Sequence, residues 1–244
     1  MYTSSPCARK TVYSVAALVA LVFSACSKSS TTAPPPAAAS ITQANSSSAQ
    51  LGTVGQPLNR PLTVVITDAS GNPVAFNTVV VWRVSSADGM VSAATDSAYG
   101  DTVVTTTNNY GAASATWQLG TKAGTDSLTA TVGGISTTYT ATAQAGAVAK
   151  LVVQSGNTQT IPDGTMSQPF VVQAQDQYGN PVPNVSINFT DQTGGTLSSG
   201  SAVTDANGMA SVQLTAAASP ATYTIVAAVA GQATIATTFS ASSN

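Results

Sequence analysis

One block of sequence occurs twice, about a hundred residues apart. Residues 68–74 read Asp-Ala-Ser-Gly-Asn-Pro-Val, and residues 176–182 read Asp-Gln-Tyr-Gly-Asn-Pro-Val. A second block, Thr-Asn-Asn-Tyr-Gly-Ala-Ala-Ser at 107–114, returns as Thr-Asp-Ala-Asn-Gly-Met-Ala-Ser at 204–211. Solenoid repeats have about 20–50 residues, whereas a repeat of about 100 residues has the size of a domain. The sequence therefore predicts two copies of one domain.

Within each copy, apolar and polar residues alternate with the period of a β-strand. Val and Thr are abundant, which favours strands, and no segment carries an apolar helical period. The predicted core positions are Leu62, Val64, Ile66, Val79, Val81, Ala113, Ala115, Trp117, Leu128, Ala130 and Val132 in the first copy, and Phe170, Val172, Ala174, Ile187, Phe189, Ala210, Val212, Leu214, Tyr223, Ile225, Ala227 and Val229 in the second. Several short strands separated by turns predict an all-β fold, with each copy an antiparallel β-sandwich with Greek-key connections.

The spacing of the blocks differs between the copies. The first blocks begin 108 residues apart and the second blocks 97, so the first copy has eleven extra residues between Val84 and Thr107. An insertion of this size belongs on a loop at one end of a sandwich or on an added edge strand. If the protein binds a partner, residues 85–106 are the first place where we expect it to bind; a longer hairpin without a function is the alternative.

The repeated blocks resemble those of bacterial immunoglobulin-like domains of group 1, the modules of the invasin and intimin adhesins. The matching turn positions are Asp68, Gly71, Asn72 and Pro73 in the first copy, and Asp176, Gly179, Asn180 and Pro181 in the second. In the second block Asn108 stands where that family has Asp, whereas Asp205 matches it. The resemblance implies two tandem immunoglobulin-like sandwiches, at 51–145 and 146–244, on the bacterial surface.

The N-terminal residues have the pattern of an export signal. Arg9 and Lys10 precede an apolar run of about a dozen residues, which is shorter than the ~20 that span a bilayer. The run ends in Ser-Ala-Cys at 24–26, which resembles a lipoprotein processing site with Cys26 as the acylated residue; cleavage nearby to give an ordinary secreted protein is the alternative. We predict a signal peptide at 1–25 and a disordered Ser/Thr/Ala/Pro tether at 26–50. Cys7 leaves with the signal, so Cys26 remains as the single thiol.

Few residues are suited to catalysis or metal binding. The chain has no His, and its nine acidic residues are all Asp. The usual general bases and zinc ligands are therefore missing, and the turn carboxylates are too sparse for calcium. Seven scattered Lys and Arg residues form no basic stripe for nucleic acid. We expect no enzyme, no cofactor, no metal site and no nucleic-acid partner.

The aromatic residues divide into core positions and candidate contacts. Trp117 and Tyr223 lie at predicted core positions. Trp82 follows Val81 and should face the opposite side, so core packing and an exposed contact both remain open for it. Trp82 and Tyr99 are the candidate contacts.

The sequence predicts a bacterial lipoprotein of the cell envelope, on the outer membrane or cell surface, held to the membrane by its N-terminal lipid. Its immunoglobulin-like modules would act in adhesion or in binding a protein or glycan ligand. The alternative is a structural spacer, or an accessory subunit of an envelope assembly, without a ligand of its own.

Overall fold

The computed structural model describes residues 36–44, 48–86, 88–94, 96 and 98–244. The predicted signal peptide, Cys26 and most of the predicted tether lie outside these residues. Within the described part of the chain, no helix has the length and apolar character needed to cross a membrane. The elements there are strands, which confirms the all-β prediction.

Residues 40–144 form the first sandwich. Its strands are β1 (Ser40–Gln43), β2 (Gln50–Thr53), β3 (Leu62–Thr67), β4 (Val79–Val84), β5 (Met90–Ala93), β6 (Thr102–Thr106), β7 (Ala112–Gln118), β8 (Gly124–Val132) and β9 (Ile135–Gln144). One sheet has the order β1-β3-β7-β5 and the other β2-β9-β8-β4-β6. All neighbours are antiparallel except β2 and β9, which pair in parallel.

Residues 150–243 form the second sandwich. Its strands are β10 (Lys150–Ser155), β11 (Gln159–Ile161), β12 (Phe170–Gln175), β13 (Ser186–Asp191), β14 (Thr196–Leu197), β15 (Ser201–Val203), β16 (Met209–Val212), β17 (Leu214–Thr215), β18 (Thr222–Val229) and β19 (Gln232–Ser243). The sheet orders are β10-β12-β16 and β11-β19-β18-β13-β15, with a short β14-β17 pair. Again one pair, β11 with β19, is parallel.

Each sandwich has its own apolar core. One cluster of buried residues extends from Val54 to Ala143, and a second from Leu151 to Ala241. Burial alternates along β3, β7, β8, β12 and β18, as period-two patterning requires. Trp117 and Tyr223 are buried as predicted.

The predicted phase of β4 is wrong. Val80, Trp82 and Val84 face the core, and Val79 and Val81 face outward. Trp82 is 0% exposed, its Nε1 donates to Thr105 Oγ1 at 2.8 Å, and its ring lies 6.1 Å from that of Tyr139. A side chain in this position has no surface to offer a partner, so Trp82 is not a contact residue.

The predicted tether also extends too far. β1 lies inside residues 26–50 and pairs with β3, with Ile41 opposite Ile66. Ala38 and Ile41 pack on the first core. The first sandwich therefore begins before residue 51, because β1 supplies an edge strand to one of its sheets.

The extra residues of the first copy fall partly in strands. β5 and β6 have four and five residues, whereas β14 and β15, which occupy the corresponding part of the second copy, have two and three. The remainder lies in the connection between Ala93 and Gly100, where Asp96 N–H donates to Ala93 O at 3.0 Å. The insertion therefore lengthens the edge strand β6.

Candidate functional site

The Asp-x-x-Gly-Asn-Pro turn is organised by its aspartate. In the first sandwich, Asp68 Oδ1 accepts from the N–H groups of Ser70 and Asn72 at 2.8 and 2.9 Å. Gly71 adopts a φ of 81°, a conformation that favours glycine. This turn is exposed, and the side chain of Asn72 reaches Asp68 Oδ2 only at 3.4 Å.

In the same turn of the second sandwich, Asp176 and Asn180 are buried. Asp176 Oδ1 accepts from the N–H groups of Tyr178 and Asn180, both at 2.9 Å. Its Oδ2 accepts from the Asn180 side chain at 2.9 Å and from Gly146 N–H at 3.0 Å. The last contact has no counterpart at Asp68 and involves the segment that links the two sandwiches.

The second repeated block packs directly on the first. Gly208 has a φ of 71°, and its carbonyl accepts from Ala174 N–H at 2.8 Å. A Cβ at Gly208 would lie 2.8 Å from Ala174 O and 3.1 Å from Pro181 Cβ. Gly111 has the same surroundings in the first sandwich, 2.6 Å from Ile66 O. The two blocks recur together because they form one packed unit.

The substitution of Asn108 for aspartate does not change this unit. Asn108 Oδ1 accepts from the N–H groups of Tyr110 and Ala112 at 2.9 and 3.1 Å. Asp205 Oδ1 makes the same pair of contacts in the second sandwich, at 2.8 and 2.9 Å. One side-chain oxygen is sufficient for the turn, and both residues supply it.

Asn180 connects the two sandwiches. Its Oδ1 accepts from Ala123 N–H at 2.8 Å, and its Nδ2 donates to Thr121 O at 2.8 Å. Both partners are backbone groups in the loop between β7 and β8 of the first sandwich. We call the contact of Asp176 and Asn180 with Thr121, Ala123 and Gly146 the joint.

Two aspartates of the first sandwich hold the loop that receives Asn180. Asp88 Oδ2 accepts from the Thr121 N–H at 2.8 Å and from the Thr121 hydroxyl. Asp126 Oδ2 accepts from Gly120 N–H at 2.8 Å. The backbone groups that face Asn180 are thus fixed in advance, which lowers the entropy cost of forming the joint.

Tyr178 adds a further contact between the two sandwiches. Gly55 has a φ of 68°, and a Cβ there would lie 2.6 Å from the Tyr178 hydroxyl oxygen and within 3.3 Å of its ring. The tyrosine of the second turn therefore lies against the backbone of the first sandwich. Together with the short link after Gln144, these contacts restrict the hinge between the sandwiches.

The pKa is lowered at Asp176 in the joint, at Asp88 beside it and at Asp68 in the exposed turn. Burial would raise the pKa of Asp176, but hydrogen bonds from the Asn180 side chain, Gly146 N–H and other backbone groups outweigh it and lower the pKa. The hydrogen bond from the Thr121 side chain, followed by that from its N–H, lowers the pKa of Asp88. In the exposed turn of the first sandwich, the hydrogen bond from the Asn72 N–H is the main cause of the lowered pKa of Asp68.

We expect acid to weaken the joint. A carboxyl group whose pKa is lowered by folding contributes stability above its unfolded pKa, about 3.9 for Asp, and loses it as the pH falls through the folded value. The urea concentration at the midpoint of unfolding should therefore be lower at pH values below about 4 than at pH 6. In Asp176→Asn the midpoint should be lower at pH 6 and should fall less between pH 6 and pH 3. An unchanged pH dependence in this variant would show that Asp176 is not a contributor.

The outer face of β4 and β6 differs from its counterpart in the second sandwich. Val79 and Val104 are 50% and 57% exposed, and Val81 lies directly opposite Val104. The equivalent outward residues of the second sandwich are Ser186 and Asn188 on β13, with Ser201 opposite Asn188, and this face has a single exposed valine, Val203. We call Val79, Val81 and Val104 the valine face. Because both sandwiches share the fold, folding does not require this apolar surface.

The other predicted site residues have the following places. Tyr99 is half-buried in the connection before β6, where it remains a candidate contact. Cys26 lies outside the described residues. Among the described residues, no three His, Cys, Asp or Glu side chains group as metal ligands would. The sequence does not predict the joint, because Thr121 and Ala123 contribute only backbone atoms to it. It does not predict the valine face either, because the predicted phase of β4 is wrong.

Comparisons with known proteins agree with this architecture. A search of curated proteins found no match. Among solved structures, the Escherichia coli adhesin FdeC is 20% identical, with a TM-score of 0.56, over 84% of this chain and 65% of that chain. The D0-D1 domain of intimin is 19% identical, with a TM-score of 0.30, over 84% of this chain and 95% of that chain. The Yersinia pseudotuberculosis adhesin InvE is 21% identical, with a TM-score of 0.37, over 84% of this chain and 58% of that chain. The chain thus spans less than two thirds of the FdeC and InvE structures.

A family model identifies the second sandwich. Residues 150–241 match the bacterial Ig-like domain of group 1. The matched range contains the turn at Asp176, the Gly208 block and all the strands from β10 to β18. The resemblance predicted from the repeated blocks is thereby confirmed, and the second sandwich is a bacterial Ig-like domain of group 1.

Proposed function

We propose that this chain is a surface protein of the bacterial envelope that acts in adhesion through the first of its two Ig-like sandwiches. The observation that carries the proposal is the valine face. Exposed apolar residues that occur singly are normal, whereas a contiguous group on one face of a sheet is typical of interaction sites. The joint supports the same function, because a restricted hinge presents this face in a defined orientation.

The comparison between the two copies favours adhesion over a spacer. A spacer needs only the shared fold, and the second sandwich meets that need with Ser186, Asn188 and Ser201 at the equivalent outward positions. Exposed valines increase the risk of aggregation. Their presence in the first sandwich therefore calls for a role that folding and spacing do not supply.

Attachment measurements test this function. Bacteria that produce the chain are compared for attachment to surfaces coated with a matrix protein, with mucin, or with a layer of the same bacteria. We expect Val79→Lys to lower attachment at least fivefold, because a charge interrupts the apolar face. Ser186→Lys, at the equivalent position of the second sandwich, should have no effect. Attachment no greater than that of bacteria without the chain would favour the spacer.

We also propose that a lipid on Cys26 holds the chain in the envelope. The apolar run that ends in Ser-Ala-Cys at 24–26 supports this, as does the absence of any other Cys after it. Cys26→Ala should abolish labelling by a palmitate analogue and move the chain from the membrane fraction to the soluble fraction. Cys7→Ala is the matched control and should change neither. A mature chain that begins at another residue without acyl mass would disprove the anchor.

A further inference from the structure

We propose that the partner of the valine face is a second copy of this chain, bound by antiparallel pairing of the two β6 edges about a two-fold axis. The proposal rests on the proposed function, for which it names the partner. It makes attachment homophilic. It follows from four features of β6: its position, its free backbone groups, its composition and its symmetry.

β6 is the edge strand of its sheet, and its hydrogen bonds to β4 alternate. Asp101 O accepts from Val84 N–H, and Thr107 N–H donates to Thr78 O, both at 3.0 Å. The odd-numbered residues between them therefore face β4, and Thr102, Val104 and Thr106 direct their N–H and C=O groups away from the sheet.

This side of the strand is open after Gly100, whose N–H and C=O groups pair with Val91 of β5. Among the residues that the structure describes, no hydrogen-bond partner lies within reach of the backbone of Thr102, Val104 or Thr106. A groove runs beside Val104 and Thr106, with Ala113 and Ser114 of β7 on its far side. Three residues of the strand are thus available for pairing.

The composition of β6 does not prevent it from pairing with another strand. Natural edge strands avoid pairing by carrying Lys or Pro, by bulging or by being very short. β6 reads Thr-Val-Val-Thr-Thr, pairs with β4 in continuous register, and has five residues. The edge strand β15 of the second sandwich has only three. The insertion of the first copy has therefore created an edge with five residues and no charge.

The strand is complementary to itself about Val104. In an antiparallel pair centred there, Val104 lies opposite Val104 of the second copy, and Thr102 opposite Thr106 of the second copy. Val–Val and Thr–Thr are favourable cross-strand pairs. Val81 lies next to Val104 in each copy, so a row of four valines crosses the interface. The exposed Val104 thereby gains an apolar neighbour in the second copy, beside the half-buried Val81.

The charges near the strand also fit this register. Asp101 would lie opposite Thr107 of the second copy, so no like charges oppose each other. Arg83 lies beside Thr102, and its neighbour across the interface would be Thr106 of the second copy. The two Arg83 side chains lie at opposite ends of the paired strands. The register thus has no electrostatic penalty.

Cysteine pairing tests the register in the full chain, in a background in which Cys7 and Cys26 are both replaced by Ser. Hydrogen-bonded antiparallel residues have Cα atoms about 5.5 Å apart, which a disulfide can bridge. Val104→Cys should therefore give disulfide-linked dimer at least tenfold above Val203→Cys on β15. A mixture of Thr102→Cys and Thr106→Cys chains should do the same, whereas Thr102→Cys alone should not, because its two copies would lie about 13 Å apart along the strands.

A proline variant tests the backbone hydrogen bonds. Val104→Pro removes only an outward N–H, which an edge strand tolerates. It should abolish self-association of the full chain in sedimentation equilibrium in mild detergent and leave the tryptophan fluorescence unchanged. Thr105→Pro removes an inward N–H and should disturb the fold.

Two results would overturn the proposal: a dimer yield for Val104→Cys no greater than that for Val203→Cys, or self-association unchanged by Val104→Pro in a folded chain. If attachment nevertheless depends on Val79, the adhesive function stands and the second copy is not the partner. If the cysteine pairs form but attachment is independent of Val79, the pairing stands and the adhesive function fails.

Discussion

Gly208→Ala is expected to lower the free energy of unfolding of the second sandwich by about 3 kcal/mol. A left-handed φ costs an alanine about 1 kcal/mol. The added Cβ would also lie 2.8 Å from Ala174 O and 3.0 Å from Val182 N, so backbone must move. Because both tryptophans belong to the first sandwich, circular dichroism should register this loss while the tryptophan transition changes little.

Two matched variants control for this effect. Gly179 also has a positive φ, but a Cβ there would meet no atom within 4 Å. Gly179→Ala should therefore cost only about 1 kcal/mol. Gly111→Ala should cost as much as Gly208→Ala, but the tryptophan transition should now move, because Gly111 lies in the first sandwich. Equal losses for Gly208→Ala and Gly179→Ala would mean that the packing between the two blocks contributes nothing.

Asn180→Ala is expected to destabilise the chain by about 2 kcal/mol and to release the two sandwiches from each other. The variant loses hydrogen bonds to Thr121 O, Ala123 N–H and Asp176 Oδ2, each with a net contribution of about 0.5–1.5 kcal/mol. The partners in the loop become hydrated when the joint opens, which offsets part of the loss. Backbone ¹⁵N relaxation should give one tumbling time for both sandwiches before the substitution and two different times after it.

Asn72→Ala is the matched control, because Asn72 has the same position in the exposed turn. Its side chain makes a single 3.4 Å contact with Asp68, so its loss should cost well below 1 kcal/mol. The two sandwiches should keep a single common tumbling time in this variant. If Asn72→Ala and Asn180→Ala had equal effects, the contacts of Asn180 with the first sandwich would have no energetic role.

The repeated blocks made the fold predictable, because a turn motif fixes both the chain reversal and the strands beside it. Phe170, Val172 and Ala174 alternate with a set that includes Gln173 and Gln175, so their inward direction followed directly. β4 reads Val-Val-Val-Trp-Arg-Val, in which both faces are largely apolar. Alternation therefore does not indicate which face of β4 points to the core. In the structure the large side chain of Trp82 lies in the core, and the other residues follow from it.

The joint could not be predicted for a different reason. Asn72 and Asn180 occupy identical motifs. Only Asn180 has a neighbouring domain within hydrogen-bonding distance, and this difference is not visible in the motif. The partners of Asn180 in the first sandwich are backbone atoms, whose positions depend on Asp88 and Asp126 elsewhere in the sequence. β1 was missed because Ile41 is its one large apolar residue, and a single residue gives no period.

The parallel pairing of β2 with β9 and of β11 with β19 determines how the molecule responds to tension. A pull on the two ends of either sandwich first loads its antiparallel edge strand, β1 or β10, and then draws the parallel pair in opposite directions along the strand axis. The hydrogen bonds of the parallel pair are then stressed together in shear. Antiparallel hairpins pulled at their open ends would separate one bond at a time. Forced unfolding is governed by the unfolding rate and not by equilibrium stability. A chain held at its N-terminal side and pulled at its C-terminal side, after β19, would therefore resist flow with both sandwiches intact.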